Sequence, residues 1–217
     1  MNTAVVTVLV IIGAVLLIVG GYIYERKRGE KMQAFAAARG LSYTKQDQRW
    51  VGIDLGWPYD AGRSHQAKHV MTGTHNGRPL VVFEHKWVTG SGDDRKTHYA
   101  MVTALQLPRQ LPQLTVTHEG VFGTLARAMG IKDIELESDA FNRAYKVKSG
   151  DRKFACDVLH PRFMQWLLDT DASGFTISSG YLVYATGDRL QIEQVDSRIA
   201  YLDAVAEHIP AFVWDPR

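Results

Sequence analysis

The chain has 217 residues, of which 46% are hydrophobic, and its net charge is only +2, from 25 Lys and Arg against 23 Asp and Glu. Nucleic-acid-binding domains concentrate basic residues on one face, so this near-neutral balance argues against a nucleic-acid partner. Cys156 is the single cysteine. It excludes an internal disulfide and a cysteine-based zinc site, and it fits a reducing cytoplasm.

The N-terminal region carries an uncharged run from Thr3 to Tyr24, rich in Val, Ile and Leu. At about 1.5 Å per residue, this run matches the roughly 30 Å hydrocarbon core of a bilayer. A cleaved secretory signal peptide is the alternative. However, no basic side chain precedes the run, the run is long, and a charged segment follows it. The sequence therefore predicts a transmembrane anchor over residues 1–25.

The cations next to this run predict its orientation. Arg26, Lys27, Arg28 and Lys31 all follow it, and Lys and Arg beside a span are retained in the cytoplasm. We therefore expect a single-pass protein of the plasma (inner) membrane, with the N-terminus outside and the C-terminal domain in the cytoplasm. Glu25 and Glu30 should make any attraction of this cluster to anionic headgroups a minor effect.

Small residues recur within the predicted span. Gly13 and Ala14 lie about two helical turns before Gly20 and Gly21, so all four share one face of a helix. Such a face lets two membrane helices approach closely, against a copy of the chain or another membrane subunit. The alternative is that Gly and Ala are simply common in membrane helices.

The cytoplasmic part is expected to begin with a juxtamembrane helix over residues 26–40, because good helix formers precede Gly40. A single α+β domain should then occupy residues 41–217, with a division into two lobes near residues 118–132 left open. Leu41 to Thr44 alternates like a strand. Gln46 to Gln66 is typical of a long irregular connection.

Asn76-Gly77 is the clearest local signal, because both positions of a type I′ hairpin turn need positive φ. It predicts paired strands over residues 68–75 and 80–88, with His69 opposite Glu84 and Val70 opposite Phe83. A third strand should follow over Thr97 to Leu107. Leu114 to Thr117 can add a fourth.

The second half of the chain is predicted to contain short helices between strands. Asp151 should cap one helix and Pro161 should start another. The fold class is therefore α+β, a mainly antiparallel sheet packed with short helices. The remaining predicted elements are a helix with apolar positions from Val121 to Met129, strands at 133–137, 175–177, 181–184 and 190–192, and a last helix over 196–209.

One stretch resembles bacterial single-pass, N-terminally anchored membrane proteins of unknown function. Their shared pattern runs roughly F-N-R-x-[FY]-x-V, then D-x-x-x-A, then L-x-P-x-[FM]-M-x-x-L. The resemblance implies a bacterial origin and a single anchored body, and it brings no catalytic assignment. The matching residues are Phe141 to Val147, Asp151, Phe154-Ala155, Leu159-His160-Pro161 and Met164 to Leu167, with weaker likeness at Gly90 to Gly92, Thr97-His98 and Ile209 to Trp214.

These motif residues favour a structural role. Phe141 and Tyr145 are apolar anchors, Asn142 suits a turn or cap, and Arg143 has Glu135 and Glu137 as possible partners nearby. A contact of Asn142 and Arg143 with a ligand or partner stays open.

The candidate chemistry is weak. Gly90 to Thr97 ends in Lys-Thr like a phosphate-binding loop, but Arg95 replaces the second glycine and a strand follows where a helix is needed. His85 and His98 should be diagonal neighbours on one sheet face, yet zinc needs further ligands that this face does not offer. His69 and Glu84 form a simpler cross-strand pair. Cys156 is expected in the core.

No cofactor, metal site or catalytic set is therefore predicted, and the chain is not expected to be an enzyme. The leading hypothesis is a membrane-tethered cytoplasmic interaction module, an accessory or scaffolding subunit of a bacterial membrane complex. Its partners would be the lipid bilayer and a membrane protein or a second copy. The alternative is a domain that binds a lipid or small hydrophobic ligand at the membrane. The candidate partner contacts are Trp50, Trp57, Tyr59, Trp87, Asn142 and Arg143, although the aromatic ones can equally be core.

Overall fold

The computed structural model describes residues 3–118 and 133–214. One uninterrupted helix, α1 (Thr3–Ala38), covers both the predicted anchor and the predicted juxtamembrane segment. Its stretch Val6–Ala38 is long and apolar enough to cross a membrane, and its most apolar window is not buried against the body. The helix ends where Gly40 adopts a φ of +68°, a conformation that glycine adopts without a Cβ clash.

The body is built on an eight-stranded sheet in which every pair of neighbouring strands is antiparallel. Its order is β1-β2-β3-β4-β8-β7-β5-β6. The strands are β1 (Ser42–Gln46), β2 (Arg63–His75), β3 (Arg78–Thr89), β4 (Lys96–Gln106), β5 (Leu114–His118), β6 (Tyr145–Ser149), β7 (Gly174–Ser178) and β8 (Tyr181–Thr186).

Six α-helices accompany this sheet among the described residues. Asp151 caps one of them by accepting from the backbone N–H of Phe154, as predicted, and Pro161 starts the next. The predicted helix over Val121 to Met129, and most of the residues proposed to divide two lobes, lie outside the described residues. Besides α1, the helices are α2 (Asp139–Ala144), α3 (Arg152–Val158), α4 (Pro161–Asp169), α5 (Val195–His208) and α6 (Ala211–Trp214).

The β2–β3 hairpin confirms the predicted turn but corrects the predicted register. Asn76 and Gly77 have φ of 50° and 75°. Pairing follows the prediction from His75 to Met71, and then an irregularity makes Lys68 the partner of Glu84. His69 causes this shift, because its φ of 50° places it in a β-bulge. Its side chain therefore leaves the position opposite Glu84.

Two further predicted strands do not form. Asp133 makes only an isolated bridge, with Lys148, because the chain turns back at Leu136. Leu190 pairs with no strand, since its backbone N–H and C=O bond to the side chains of Glu84 and Arg28 instead. The strand at Leu114 exists but joins β6 and β7, so it does not extend the meander beside β4.

The sheet is covered on both faces. On β3, Leu80 and Val82 point into a core shared with the helices, whereas Val81 and Phe83 point into a second core under the connection that carries Trp50. This alternation follows from the two-residue repeat of a strand. The α+β fold class is thus confirmed. Cys156, expected in the core, is exposed on α3, because the buried face of that short helix is made by Phe154, Ala155 and Val158.

Candidate functional site at the helix–sheet junction

Beyond its apolar run, α1 turns one side toward the sheet. Met32 and Ala36 are buried at 3% and 0% exposure, and Arg28 and Glu25 lie one and two turns earlier on the same side. This spacing of three and four residues places side chains on one helix face. The junction between helix and body is therefore apolar at its far end and charged next to the predicted span.

A buried ion pair forms the centre of this junction. The Glu84 side chain has 0% exposure and the Arg28 side chain 12%. Arg28 Nη2 donates to Glu84 Oε2 at 2.5 Å and Nη1 donates to Oε1 at 3.3 Å, a two-point contact. Two-point contacts between a guanidinium and a carboxylate fix orientation as well as distance. The pair therefore sets how α1 lies on β3.

The segment after β8 closes over this pair. The backbone N–H of Leu190 donates to Glu84 Oε2 at 3.1 Å, and Arg28 Nη2 donates to the Leu190 carbonyl at 3.0 Å. Leu190 is itself buried at 3% exposure. Three distant segments of the chain thus share one small polar site.

Arg189 extends the network to Glu25. Its Nη2 donates to Glu25 Oε1 at 3.1 Å, its Nε lies 3.6 Å from Glu84 Oε2, and its guanidinium stacks 4.4 Å from the Tyr99 ring centroid. Arg28 Nη1 also lies 4.0 Å from Glu25 Oε2, so the Glu25 carboxylate lies between the two guanidiniums. The charges of two carboxylates, Glu25 and Glu84, are balanced here by those of two guanidiniums, Arg28 and Arg189.

His69 borders Glu25 from the bulge in β2. Its Nδ1 shares a hydrogen bond with the Tyr43 hydroxyl at 2.8 Å, and its Nε2 lies 3.7 Å from Glu25 Oε2. Burial lowers the pKa of His69, and the charge of Arg28 lowers it further. The imidazole is therefore neutral at pH 7, so its contact with Glu25 is a polar contact and not an ion pair.

The predicted orientation cations are spread around α1. Arg28 turns inward. Arg26 lies on the outer side and pairs with Glu30 at 2.9 Å, whereas Lys27 and Lys31 are exposed and line a groove of about 420 Å³ beside Leu190. The structure thus gives these four cations three different surroundings.

The predicted helix-packing seam lies in the part of α1 that the body does not cover. A Cβ atom at Gly13, Gly20 or Gly21 would meet no atom within 4 Å, and Ala14 is exposed. The body of the same chain therefore leaves this face of α1 uncovered.

The aromatic candidates pack on the sheet face opposite the helices. Trp50 lies 6.1 Å from Phe83 between ring centroids, and the Tyr59 hydroxyl donates to the Trp50 carbonyl at 2.6 Å. Trp57 meets Trp87 edge to face at 5.7 Å. These side chains are mostly core. Part of Trp57 and Trp87 also lines a cleft of about 670 Å³ that reaches Arg189; we call it the aromatic cleft.

The motif residues Asn142 and Arg143 differ in their surroundings. The Asn142 amide accepts from the Leu136 N–H at 3.0 Å and donates to the Leu136 carbonyl at 2.7 Å, so it holds a turn. Arg143 is exposed. Glu135, suggested as its partner, instead offers its backbone carbonyl to Arg152 at 3.0 Å.

The predicted histidine neighbours, His85 and His98, each have a hydrogen-bond partner of their own. His85 lies opposite Ala100 and His98 opposite Trp87, which confirms that the two histidines are diagonal neighbours. His85 Nε2 bonds to His65 Nδ1 at 2.8 Å, and His98 bonds to Thr89 at 2.7 Å. Within residues 3–118 and 133–214, no three His, Cys, Asp or Glu side chains come together as metal ligands.

Sequence reasoning did not identify the junction, although one signal was present. Glu84 ends the apolar run Leu80 to Phe83, and a carboxylate on a covered strand requires a cation. Its partners Arg28 and Arg189 are 56 and 105 positions away. Only the folded chain shows that they meet.

No protein-family model matches the chain, and a search of curated proteins finds no match. A search of solved structures finds the crystal structure of the mycobacterial trehalose monomycolate transport factor A, TtfA. It superposes with a TM-score of 0.63 and 14% sequence identity, covering 87% of this chain and 98% of that chain. At this identity the likeness is one of fold. The part of the chain that superposes therefore has the same overall fold as that protein.

Proposed function

We propose that this protein is a membrane-tethered accessory subunit of a bacterial membrane transport complex. In this proposal α1 crosses the inner membrane once, with the N-terminus outside and the body in the cytoplasm. The cations that follow the apolar run support this direction. The body acts as an interaction module and performs no catalysis.

The observation that carries the proposal is the continuity of α1 with the body. A flexible tether would leave the body free to tumble, whereas here the helix continues past its apolar run and is bound to the sheet by Glu84, Arg28, Glu25 and Arg189. The body therefore presents fixed surfaces at a fixed height above the bilayer. Such a placement suits a subunit that must meet neighbouring membrane proteins.

The likeness to TtfA supports the same class of function. That protein is a transport factor, and the shared architecture makes an accessory role in a membrane transport system the simplest proposal for this chain.

Two surfaces are available to a partner. The uncovered Gly13, Ala14, Gly20 and Gly21 face would meet a helix inside the bilayer, where small residues permit close packing. The aromatic cleft lies beside Arg189, next to the junction. Large aromatic side chains such as Trp57 and Trp87 dominate many interface energies.

Crosslinked affinity purification from native membranes tests this function. We expect a stoichiometric membrane-protein partner or a second copy with the wild-type chain, and at least a tenfold lower recovery with Gly13→Leu/Gly20→Leu. The control Val8→Leu/Val15→Leu adds bulk at the same spacing on another side of the helix and should retain the partner. Absence of any stoichiometric partner with the wild type would overturn the proposal. A C-terminal reporter active only in the periplasm would overturn the orientation.

A second candidate function is the binding of a lipid or small hydrophobic ligand by the body. The aromatic cleft favours it, because a cavity of about 670 Å³ lined by Trp57 and Trp87 has the size and character of many ligand sites. Co-purifying lipid detected by mass spectrometry, without protein partners, would favour this alternative.

A further inference from the structure

The groove beside the junction has a charged rim and an apolar floor. Tyr24, Lys27 and Lys31 form the α1 side, and its volume is about 420 Å³. Its floor is apolar, since Met32 and Leu190 are buried at 3% exposure. We call it the Lys27–Lys31 groove. Glu193 also lines it.

The fold separates the charges of this helix segment, and that separation leaves the groove positive. Glu25 is turned toward Arg189, and Glu30 is paired with Arg26 on the outer side. The two carboxylates that would neutralise the cluster along the sequence are therefore engaged elsewhere. Within the described residues, no carboxylate oxygen lies within 4 Å of the ammonium groups of Lys27 and Lys31.

Glu193 reduces this positive charge only at one end. The segment after β8 follows α1 in order, because Arg189 meets Glu25, Leu190 meets Arg28 and Asp196 meets Arg39. This order places Glu193 between the levels of Arg28 and Arg39 along α1. The end of the groove at Lys27, which is nearer to the apolar run, keeps its charge.

The depth of the groove matches the headgroup layer of a bilayer. Lys27 is about 4.5 Å, and Lys31 about 10 Å, beyond Tyr24 along a helix. The polar layer on each side of the hydrocarbon core is roughly 5–8 Å thick. Lysine side chains extend toward such a boundary while their alkyl stems stay on apolar surface. Both ammonium groups can therefore reach a lipid phosphate.

We propose that the Lys27–Lys31 groove binds the phosphate headgroup of an anionic phospholipid of the surrounding bilayer. The two lysines contact the phosphate, and Tyr24, which lines the groove nearer to the bilayer, packs against the glycerol and upper acyl region. This inference rests on the proposed insertion of α1 in a membrane. A diffuse attraction between the basic cluster and anionic headgroups would hold no particular lipid molecule. The groove, in contrast, is a site for one lipid.

Native mass spectrometry of the full-length protein, released from detergent with equal amounts of anionic and zwitterionic phospholipid, tests the site. We expect one preferentially retained anionic lipid with the wild type. Two cations near a membrane surface, partly offset by Glu193, should account for a roughly tenfold preference. Lys27→Gln/Lys31→Gln should abolish it. The matched control Arg26→Gln/Lys45→Gln removes two cations, one from α1 and one from β1, that line a pocket on the other side of the helix, and it should keep the preference.

Three results would overturn this inference. The first two are a wild type that retains anionic and zwitterionic lipid equally, and an equal loss of anionic lipid in both double variants. The third is displacement of the lipid by millimolar inorganic phosphate, which would indicate that the groove binds a soluble anion. Carbonate extraction of the same variants separates this inference from the proposed function. A wild-type chain that stays in carbonate-washed membranes without anionic preference overturns the groove alone. Release of the wild-type chain overturns the membrane insertion itself.

Discussion

Glu84 is the residue on which the junction depends most. It receives hydrogen bonds from Arg28 and from the Leu190 N–H, and Arg189 lies 3.6 Å away. A buried carboxylate is costly unless cations and N–H donors surround it. Here Arg28, Arg189 and the Leu190 N–H do so, which explains why a carboxylate with 0% exposure is accepted on β3.

Glu84→Gln should destabilise the protein by roughly 3–5 kcal/mol, because it keeps the shape of the side chain but removes the buried counter-charge of Arg28. The urea midpoint of the full-length protein in detergent, followed by tryptophan fluorescence, measures this change. The control Glu30→Gln removes an ion pair whose side chains are 69% and 59% exposed. It should change stability by less than about 1 kcal/mol, and equal effects of the two variants would contradict the assignment.

His85 should make the body sensitive to acid before its carboxylates protonate. Burial and the neighbouring His65 lower the pKa of His85 to about 3. An unfolded histidine has a pKa near 6.5, so below that pH the unfolded chain binds more protons and stability falls. The contribution is complete above pH 6.5 and is lost progressively toward pH 3.

Between pH 6.5 and 4.5 we therefore expect a fall of up to about 1.4 kcal/mol per pH unit from this group. Urea unfolding at several pH values measures the slope. His85→Gln, which cannot titrate, should give a flatter profile over the same interval. An unchanged slope in that variant would assign the acid sensitivity to other groups, of which His69 is the first candidate.

At the scale of elements, turns and caps follow local chemistry, whereas strand partners do not. The Asn76-Gly77 turn, the Asp151 cap and the start at Pro161 were all predicted correctly, because each depends on a few consecutive residues. The order of β4, β8, β7 and β5 was not predicted, because strand pairing depends on which residues of distant segments become buried together. The His69 bulge was not predicted either, and it places the imidazole beside Tyr43 and Glu25.

Two glycines distinguish backbone strain from steric clash. Gly77 and Gly174 have φ of +75° and +89°, but a Cβ would meet nothing at Gly77 and would lie 2.2 Å from the Val116 carbonyl oxygen at Gly174. Gly77→Ala should cost about 1–2 kcal/mol for its positive φ alone. Gly174→Ala should cost clearly more, because β5 and β7 must separate. Thermal unfolding of both variants measures the difference, and equal losses would contradict the predicted clash.

For the whole molecule, the main consequence of the structure is that helix and body move as one unit. The coupling depends on a few side chains, so it can be removed without unfolding the sheet. In Glu84→Gln under native conditions, we expect amide hydrogen exchange to rise in α1 from Glu25 to Ala38, while the β3–β4 pair stays protected. Mass spectrometry of the full-length protein in nanodiscs measures this exchange. Glu30→Gln should match the wild type, and unchanged exchange in Glu84→Gln would show that Met32 and Ala36 alone hold the helix.

The sequence by itself determined the features that depend on neighbouring residues: an apolar run long enough for a bilayer, the cations after it, the turn at Asn76-Gly77 and the α+β class. Only the tertiary structure decided what Glu84, Arg28, Glu25 and Arg189 do. Arg28 meets Glu84 across 56 positions, and Arg189 meets Glu25 across 164. The physical reason is that a buried charge is stable only beside its counter-charge, and no local pattern along the chain states which distant segment supplies it.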